Sequence, residues 1–163
     1  MYNTTEKICS WDQAEQIIKG WQKEGQKVVF TNGCFDILHL GHVDYLEKSR
    51  NLGDKMVVGV NTDASVSGLK GPSRPVSDEQ SRSRVMASLA FVDLVVLFGE
   101  ETPFELISQL KPDILVKGSD YLAENIVGAD VVMANGGEVK TIDLVDGYST
   151  SSVIRFILEH GKQ

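Results

Sequence analysis

The sequence predicts a single α/β domain built on a doubly wound parallel sheet of five strands. Short apolar runs alternate with amphipathic stretches along the 163 residues, and this alternation is typical of parallel strands covered by helices on both faces. The hydrophobic fraction of 42% is enough for a substantial core. The runs predicted as strands are residues 28–30, 55–60, 94–98, 114–116 and 139–142.

Helix-start signals separate these strands. Ser10 and Ser77 each begin a capping box, with Gln three residues later. Thr102 precedes Pro103, and proline is favoured at the first position of a helix. A further helix is expected at about residues 41–52, and Ser149 or Thr150 is expected to cap the last one.

The net charge of the chain makes some classes of binding partner improbable. A formal net charge of −7 argues against a nucleic-acid binder or a protein of anionic membranes, because both need a basic surface. A small phosphate ligand needs only a local cluster of donors. Cys9 and Cys34 lack disulfide or metal-ligand spacing, so reduced thiols and no metal centre are expected. With no apolar run long enough to span a bilayer and no signal-like N-terminus, we expect a cytoplasmic protein.

The segment after the first strand carries the strongest chemical signal. His39 and His42 are three residues apart, so they share one face of the first helical turn. Backbone N–H groups and the helix dipole favour an anion there, and imidazoles can donate hydrogen bonds to phosphate. The alternatives are a metal pair or two ordinary polar histidines. A metal pair lacks a third histidine nearby, since His160 lies at the far C-terminus.

This segment resembles the signature G-x-[FY]-D-x-x-H-x-G-H of the cytidylyltransferase-like nucleotidyltransferases, which have a Rossmann-like fold. The match is Gly33-Cys34-Phe35-Asp36-Ile37-Leu38-His39-Leu40-Gly41-His42. The resemblance implies that the two histidines contact the nucleotide phosphates and stabilise the transition state. It also implies that Asp36 orients the acceptor or a neighbouring cation. The implied ATP-binding residues here are Asn32, Gly33, Cys34, Phe35 and Gly41.

The segment of residues 61–75 follows the second strand and carries two cations, Lys70 and Arg74. Gly71, Pro72 and Pro75 predict a loop without regular helix. By composition alone, a solvated surface loop is the simpler interpretation. The segment resembles the loop of the bacterial D-glycero-β-D-manno-heptose 1-phosphate adenylyltransferases. That resemblance implies that Lys70 neutralises phosphate charge between the substrates and that Arg74 binds phosphate or orders the loop.

Three further positions follow from the same resemblance. Arg82 matches an arginine of the family and is expected to touch the nucleotide phosphates. Lys117 and Asp120 lie in a stretch similar to V-K-G-x-D-Y and could contact sugar hydroxyls or the nucleotide, although a helix-entry turn is an equal alternative. The second signature, [IY]-S-[ST]-[ST], is matched at the start of the last helix by Tyr148, Ser149, Thr150 and Ser151, and it suits the β- and γ-phosphates.

The resemblance implies transfer of AMP from ATP, accompanied by Mg²⁺, to heptose 1-phosphate. The products would be pyrophosphate and ADP-heptose, a precursor of the lipopolysaccharide core. Residues 1–25 are expected to form an N-terminal helical extension and residues 26–163 a stand-alone nucleotidyltransferase domain. A homo-oligomer is expected, with a dimer favoured. Two alternatives stay open: a cytidylyltransferase acting on glycerol 3-phosphate or another small phosphate, disfavoured because residues 143–146 lack an arginine, and a nucleotide-binding regulatory domain without catalysis.

Overall fold

The computed structural model describes residues 3–119 and 125–161. Its strands form one parallel sheet of six strands in the order β1-β4-β3-β2-β5-β6. The predicted α/β class and all five predicted strands are confirmed. The sixth strand, β1, has two residues that pair with β4, and it lies within the expected N-terminal extension. The strands are β1 Ile8–Cys9, β2 Val28–Gly33, β3 Lys55–Asn61, β4 Leu94–Phe98, β5 Ile114–Gly118 and β6 Glu138–Ile142.

Seven α-helices connect the described parts of the sheet, after a short 3-10 helix at Thr4–Lys7. The prediction of a loop over residues 61–75 is wrong for its first half, which is helical. Thr62 caps this helix by accepting a hydrogen bond from the Ser65 N–H, and the glycine and prolines lie only after its end. None of the described helices has the length and apolar character needed to cross a membrane. The helices are α1 Trp11–Lys23, α2 Leu40–Arg50, α3 Asp63–Lys70, α4 Glu79–Ser88, α5 Phe104–Leu110, α6 Ala129–Ala134 and α7 Thr150–His160.

Two apolar layers pack against opposite faces of the sheet. Successive strand residues point to opposite sides, so Val57 contributes to one layer and Val58 to the other. The first layer includes Ile18 of α1 and Leu106 of α5. The second includes Leu46 of α2, together with side chains from α4. Burial on both faces explains why these strands read as continuous apolar runs.

The strand order places a ligand site at the carboxyl end of β2. Strand β2 pairs with β3 on one side and β5 on the other. The chain passes from β2 to β3 and β4 on one side, and then crosses to β5 on the other side of β2. This is the topological switch point where open α/β sheets bind ligands. The opposite edge is held by carboxylates: Asp113 accepts from the Val28 N–H at 2.8 Å, and Asp93 accepts from the Met56 N–H at 2.8 Å.

Two glycine-to-alanine changes should affect stability in opposite directions. A Cβ at Gly137, just before β6, would lie 2.6 Å from the Asp113 carbonyl oxygen and 2.7 Å from a Val132 methyl group. We expect G137A to lower the free energy of unfolding by about 1–3 kcal/mol through overpacking. A Cβ at Gly20 in α1 meets nothing within 4 Å, and G20A should stabilise by about 0.5–1 kcal/mol. Urea unfolding of both variants measures these effects, and equal effects of the two changes would contradict the packing argument.

Candidate active site

A cavity of about 650 Å³ opens at the carboxyl edge of the sheet. It brings together the segment after β2, the end of α3, the end of β5 and the start of α7. Asp120 lies outside the described residues, and Arg82 is absent from the lining. All the other expected site residues line the cavity: Asn32, Gly33, Cys34, Phe35, Asp36, His39, Gly41, His42, Lys70, Arg74, Lys117, Ser149, Thr150 and Ser151.

The two signature histidines form a stacked pair at the start of α2. His39 is the N-cap residue and His42 lies in the first turn. Their ring centroids are 3.8 Å apart, with 19° between the ring planes. Both Nδ1 atoms are buried and have no hydrogen-bond partner among the residues that the structure describes. A buried polar atom without a partner is costly, so both nitrogens are suited to meet a ligand.

Neighbouring residues of the signature hold this pair in place. Phe35 has a positive φ of 46°, which is unusual for a residue other than glycine, and its ring meets the edge of His42 at 5.3 Å. A Cβ at Gly33 would lie 3.1 Å from the Phe35 ring. A Cβ at Gly41 would lie 3.2 Å from the His39 ring and 3.3 Å from the Cβ of Tyr148. Both glycines therefore allow close packing of the aromatic rings that line the cavity.

Burial disfavours the charged form of both histidines. Burial, together with the adjacent His39, lowers the pKa of His42 to about 4, whereas a hydrogen bond with the Ile37 backbone acts to raise it. Burial also lowers the pKa of His39. A neutral imidazole offers one N–H donor and one acceptor nitrogen. Within residues 3–119 and 125–161, no three His, Cys, Asp or Glu side chains cluster so as to hold a metal ion.

Donors from three other elements face the same cavity. Lys70 is the last residue of α3 and is exposed. Lys117, at the end of β5, donates to the Asn32 side-chain oxygen at 2.6 Å and so links the ends of two strands. Ser149 caps α7 by accepting from the Ser152 N–H at 3.1 Å. Thr150 therefore begins the helix beside the cavity, where free N–H groups favour an anion.

Of the two roles expected for Asp36, its contacts fit the orientation of a neighbouring cation. Its carboxylate is buried and accepts from the Arg74 Nε at 2.6 Å, the Val76 N–H at 2.8 Å and the Ser77 N–H at 2.9 Å. Burial by itself would raise the pKa of Asp36, but the hydrogen bonds from Ser77, Val76 and Arg74 outweigh it and lower that pKa. These contacts occupy both carboxylate oxygens and orient the neighbouring cation Arg74.

Arg82 also departs from the expectation of a phosphate contact. Its side chain is only 1% exposed and lies beneath the cavity. The guanidinium donates to the Ser77 carbonyl at 2.9 Å, the Cys34 carbonyl at 2.6 Å and an Asp63 carboxylate oxygen at 2.8 Å. These bonds use three of its five N–H groups, and the side chain does not line the cavity. The sequence motif therefore identified an important arginine but not its environment.

Several lining residues were not anticipated. Asn61 ends β3, is 4% exposed and accepts a long hydrogen bond from the Cys34 thiol at 3.9 Å. Burial raises the pKa of that thiol, although nearby Lys70 and Arg82 oppose the effect. Thr102, which the sequence indicated only as a helix cap, follows β4. Their position directly after predicted strands was the available signal. The other lining residues that were not expected as site residues are Tyr45, Leu69, Phe98, Glu101, Pro103, Asn125, Ile126, Val127, Leu144 and Val145, and Gly118 and Tyr148 lie within the motifs identified from the sequence.

Comparison with known proteins gives consistent matches. The sequence model of a family described as cytidylyltransferase-like matches residues 30–155. A protein named bifunctional protein HldE from Magnetococcus marinus is 56% identical over 156 residues, which cover 96% of this chain and 32% of that protein. The protein of the same name from Azorhizobium caulinodans is 58% identical over 147 residues, which cover 90% and 31%. The chain therefore spans about a third of the length of these curated relatives.

Solved structures agree with the architecture. A lipopolysaccharide core biosynthesis protein from Thermoplasma volcanium aligns with a TM-score of 0.59 and 33% identity, covering 77% of this chain and all of that one. A pantoate–β-alanine ligase from Francisella tularensis aligns with the same TM-score at 15% identity, covering 96% of this chain and 79% of that one. At that identity the second likeness concerns the fold alone.

The low pKa of His42 predicts a pH dependence of stability. Between pH 6.5 and about 4 the unfolded chain protonates His42 while the folded protein does not, so stability falls as the pH falls through this window. The loss should reach roughly 1–3 kcal/mol at pH 4. H42Q removes this titration and should lose correspondingly less stability. Urea unfolding at several pH values measures the difference. H160Q, at an exposed position of α7, should follow the unmodified protein, and parallel curves for H42Q would contradict the prediction.

Proposed function

Because the chain belongs to the cytidylyltransferase-like family, as its signature predicted, we propose that it transfers AMP from ATP to a sugar 1-phosphate. The proposed acceptor is D-glycero-β-D-manno-heptose 1-phosphate, and the products are ADP-heptose and pyrophosphate. The similarity of the segments around Lys70 and Lys117 to the heptose 1-phosphate branch supports this acceptor. The relatives named HldE and the neighbour from lipopolysaccharide core biosynthesis support it further.

One observation supports the chemistry above all others. His39 and His42, whose Nδ1 atoms are buried, line the same cavity as Lys70 and the start of α7. A protein with a net charge of −7 thus concentrates hydrogen-bond donors and cations at one edge of its sheet. Such a concentration suits a triphosphate and a second phosphate ester better than a neutral ligand.

In the proposed reaction, a phosphate oxygen of the sugar 1-phosphate attacks the α-phosphorus of ATP in line. A new P–O bond forms as the bond to the oxygen bridging the α- and β-phosphates breaks, and pyrophosphate takes the electron pair. An ionised phosphate monoester is already a nucleophile, so the chain needs neither a general base nor a covalent nucleophile. Positioning and charge stabilisation remain as its tasks.

The donors have distinct proposed roles. His39 and His42 donate to the α- and β-phosphate oxygens, whose charge grows in the transition state. Lys70 bridges the attacking phosphate and the α-phosphate. Thr150 and Ser151 hold the departing pyrophosphate.

The remaining expectations are carried forward as proposals. Arg74 and Lys117 contribute charge beside the acceptor, and Asp120 contacts the sugar. Mg²⁺ arrives with ATP and is coordinated mainly by phosphate oxygens and water. The reaction takes place in the cytoplasm, where ATP is available. The protein acts as a homodimer, which light scattering in solution tests directly.

A substrate panel decides the reaction. With ATP and heptose 1-phosphate we expect rapid release of pyrophosphate and formation of ADP-heptose, detected by mass spectrometry. CTP with glycerol 3-phosphate should give little product. A preference for that second pair would replace the proposal by a cytidylyltransferase. Tight ATP binding without pyrophosphate release from any sugar phosphate would identify a regulatory domain.

Removing one donor should slow turnover while the fold survives. For H39A, H42A and K70A we expect kcat to fall by roughly 10²–10³-fold, as for other preorganised donors. H160A, with an exposed histidine outside the cavity, is the matched control and should retain full activity. Circular dichroism verifies folding. Near-normal pyrophosphate release by the folded H39A, H42A or K70A variants would refute these assignments.

A further inference from the structure

The segment of residues 63–77 carries Lys70 but has little apolar anchorage of its own. It comprises α3 and the turn that follows, and Val66 is the only buried residue of α3. Within the segment, the Gly71 N–H donates to the Ser67 carbonyl at 2.9 Å, and the Ser67 hydroxyl donates to the Arg74 carbonyl at 2.6 Å. These bonds connect the turn to the C-terminal half of α3. They do not attach the segment to the rest of the protein.

Two buried charged side chains supply that attachment. Asp36 lies within the signature and holds the end of the segment through Arg74, Val76 and Ser77. Arg82 lies in α4 and holds the start through Asp63 and the end through Ser77. Further hydrogen bonds reach the start of α3, from the Asp63 N–H to the Glu79 carboxylate at 2.8 Å and from the Asn61 side-chain amide to the Ser65 hydroxyl at 3.0 Å.

Arg82 also connects the segment to the signature itself. Its guanidinium donates to the Cys34 carbonyl at 2.6 Å, two residues before Asp36. The turn bearing the histidine pair and the segment bearing Lys70 are thus joined through shared, charge-assisted hydrogen bonds. Such bonds are stronger than neutral ones and are weakly screened when buried.

We propose that Asp36 and Arg82 are positioning residues that clamp residues 63–77 to the signature and thereby hold Lys70 over the cavity. The catalytic consequence rests on the proposed function, whereas the clamp itself does not. The proposal replaces the direct contact of Asp36 with the sugar phosphate and of Arg82 with the nucleotide.

Asp36→Asn isolates the clamp with little change of shape. The retained Oδ1 can still accept from the Val76 and Ser77 N–H groups. The new amide group would face the Arg74 Nε at the position of Oδ2, so two donors would meet and this anchor would be lost. Asp93→Asn is the matched control: Asp93 also forms an ion pair with an arginine Nε (Arg50, 3.3 Å) and accepts from a backbone N–H, but at the opposite edge of the sheet.

Native-state trypsin digestion tests the clamp without any substrate. Lys70 is exposed, and the bond after it becomes a trypsin site once the segment detaches. We expect D36N to be cut between Lys70 and Gly71 roughly tenfold faster than the unmodified protein, because local opening governs such cleavage. Mass spectrometry identifies the fragments. D93N should be cut there at the unmodified rate, and an unchanged rate in D36N would overturn the clamp.

Kinetics test whether the clamp acts through Lys70. For D36N we expect kcat to fall by roughly 10–100-fold while KM for ATP and for heptose 1-phosphate stays within about threefold, as expected from a misplaced transition-state contact. When Lys70 has already been replaced in K70A, adding D36N should lower kcat only slightly further. R82K should act in the same direction. A raised KM for the sugar phosphate with unchanged kcat, or a full additional loss in the K70A background, would show instead that Asp36 binds substrate directly.

The two proposals fail separately. If the unmodified protein showed no activity with any substrate of the panel, the proposed function would be refuted. The trypsin digestion would still decide whether Asp36 clamps the segment. Fast cleavage of D36N with unchanged kcat would retain the clamp and refute its effect on Lys70.

Discussion

Hydrogen bonding of β2 to β3 on one side and to β5 on the other decides where the other parts of the molecule lie. The connection from β2 runs to β3 on one side, whereas β5 on the other side is reached from β4, so a cavity opens at the carboxyl end of β2 between them. The signature follows β2 directly and enters this cavity. Segments that are distant in sequence, such as Lys70, Lys117 and Thr150, reach the same place because they follow other strands or begin a helix at that edge.

Electrostatics then divide the charged groups into two classes. His42 lines the cavity as a ring whose pKa is lowered by burial, Lys70 as an exposed cation and Glu101 as an exposed carboxylate. Other charged side chains are buried and paired: Asp36 with Arg74, and Arg82 with Asp63. Burying one of these charges without its partner would cost several kcal/mol, so each partner is required by the other.

Packing explains the composition of the signature as much as ligand contact does. Gly33 allows the Phe35 ring to approach, Phe35 then meets His42, and Gly41 leaves room for His39. The histidine rings stack beside these neighbours, with their centroids 3.8 Å apart. A preorganised pair of donors requires no reorganisation when charge develops on a ligand, and this is the main source of electrostatic stabilisation in enzymes.

The sequence by itself determined the features that depend on neighbours along the chain. Apolar runs predicted five strands, capping residues predicted helix starts, and fixed spacing predicted that His39 and His42 share a face. Only the tertiary structure decided what depends on distant contacts. Strand β1 has two residues and exists through its pairing with β4. Residues 63–70 are helical although glycine and prolines follow closely, because those residues lie beyond the end of α3. Asp36 and Arg82 form buried hydrogen bonds with partners that are up to 48 residues away and come together only in the fold.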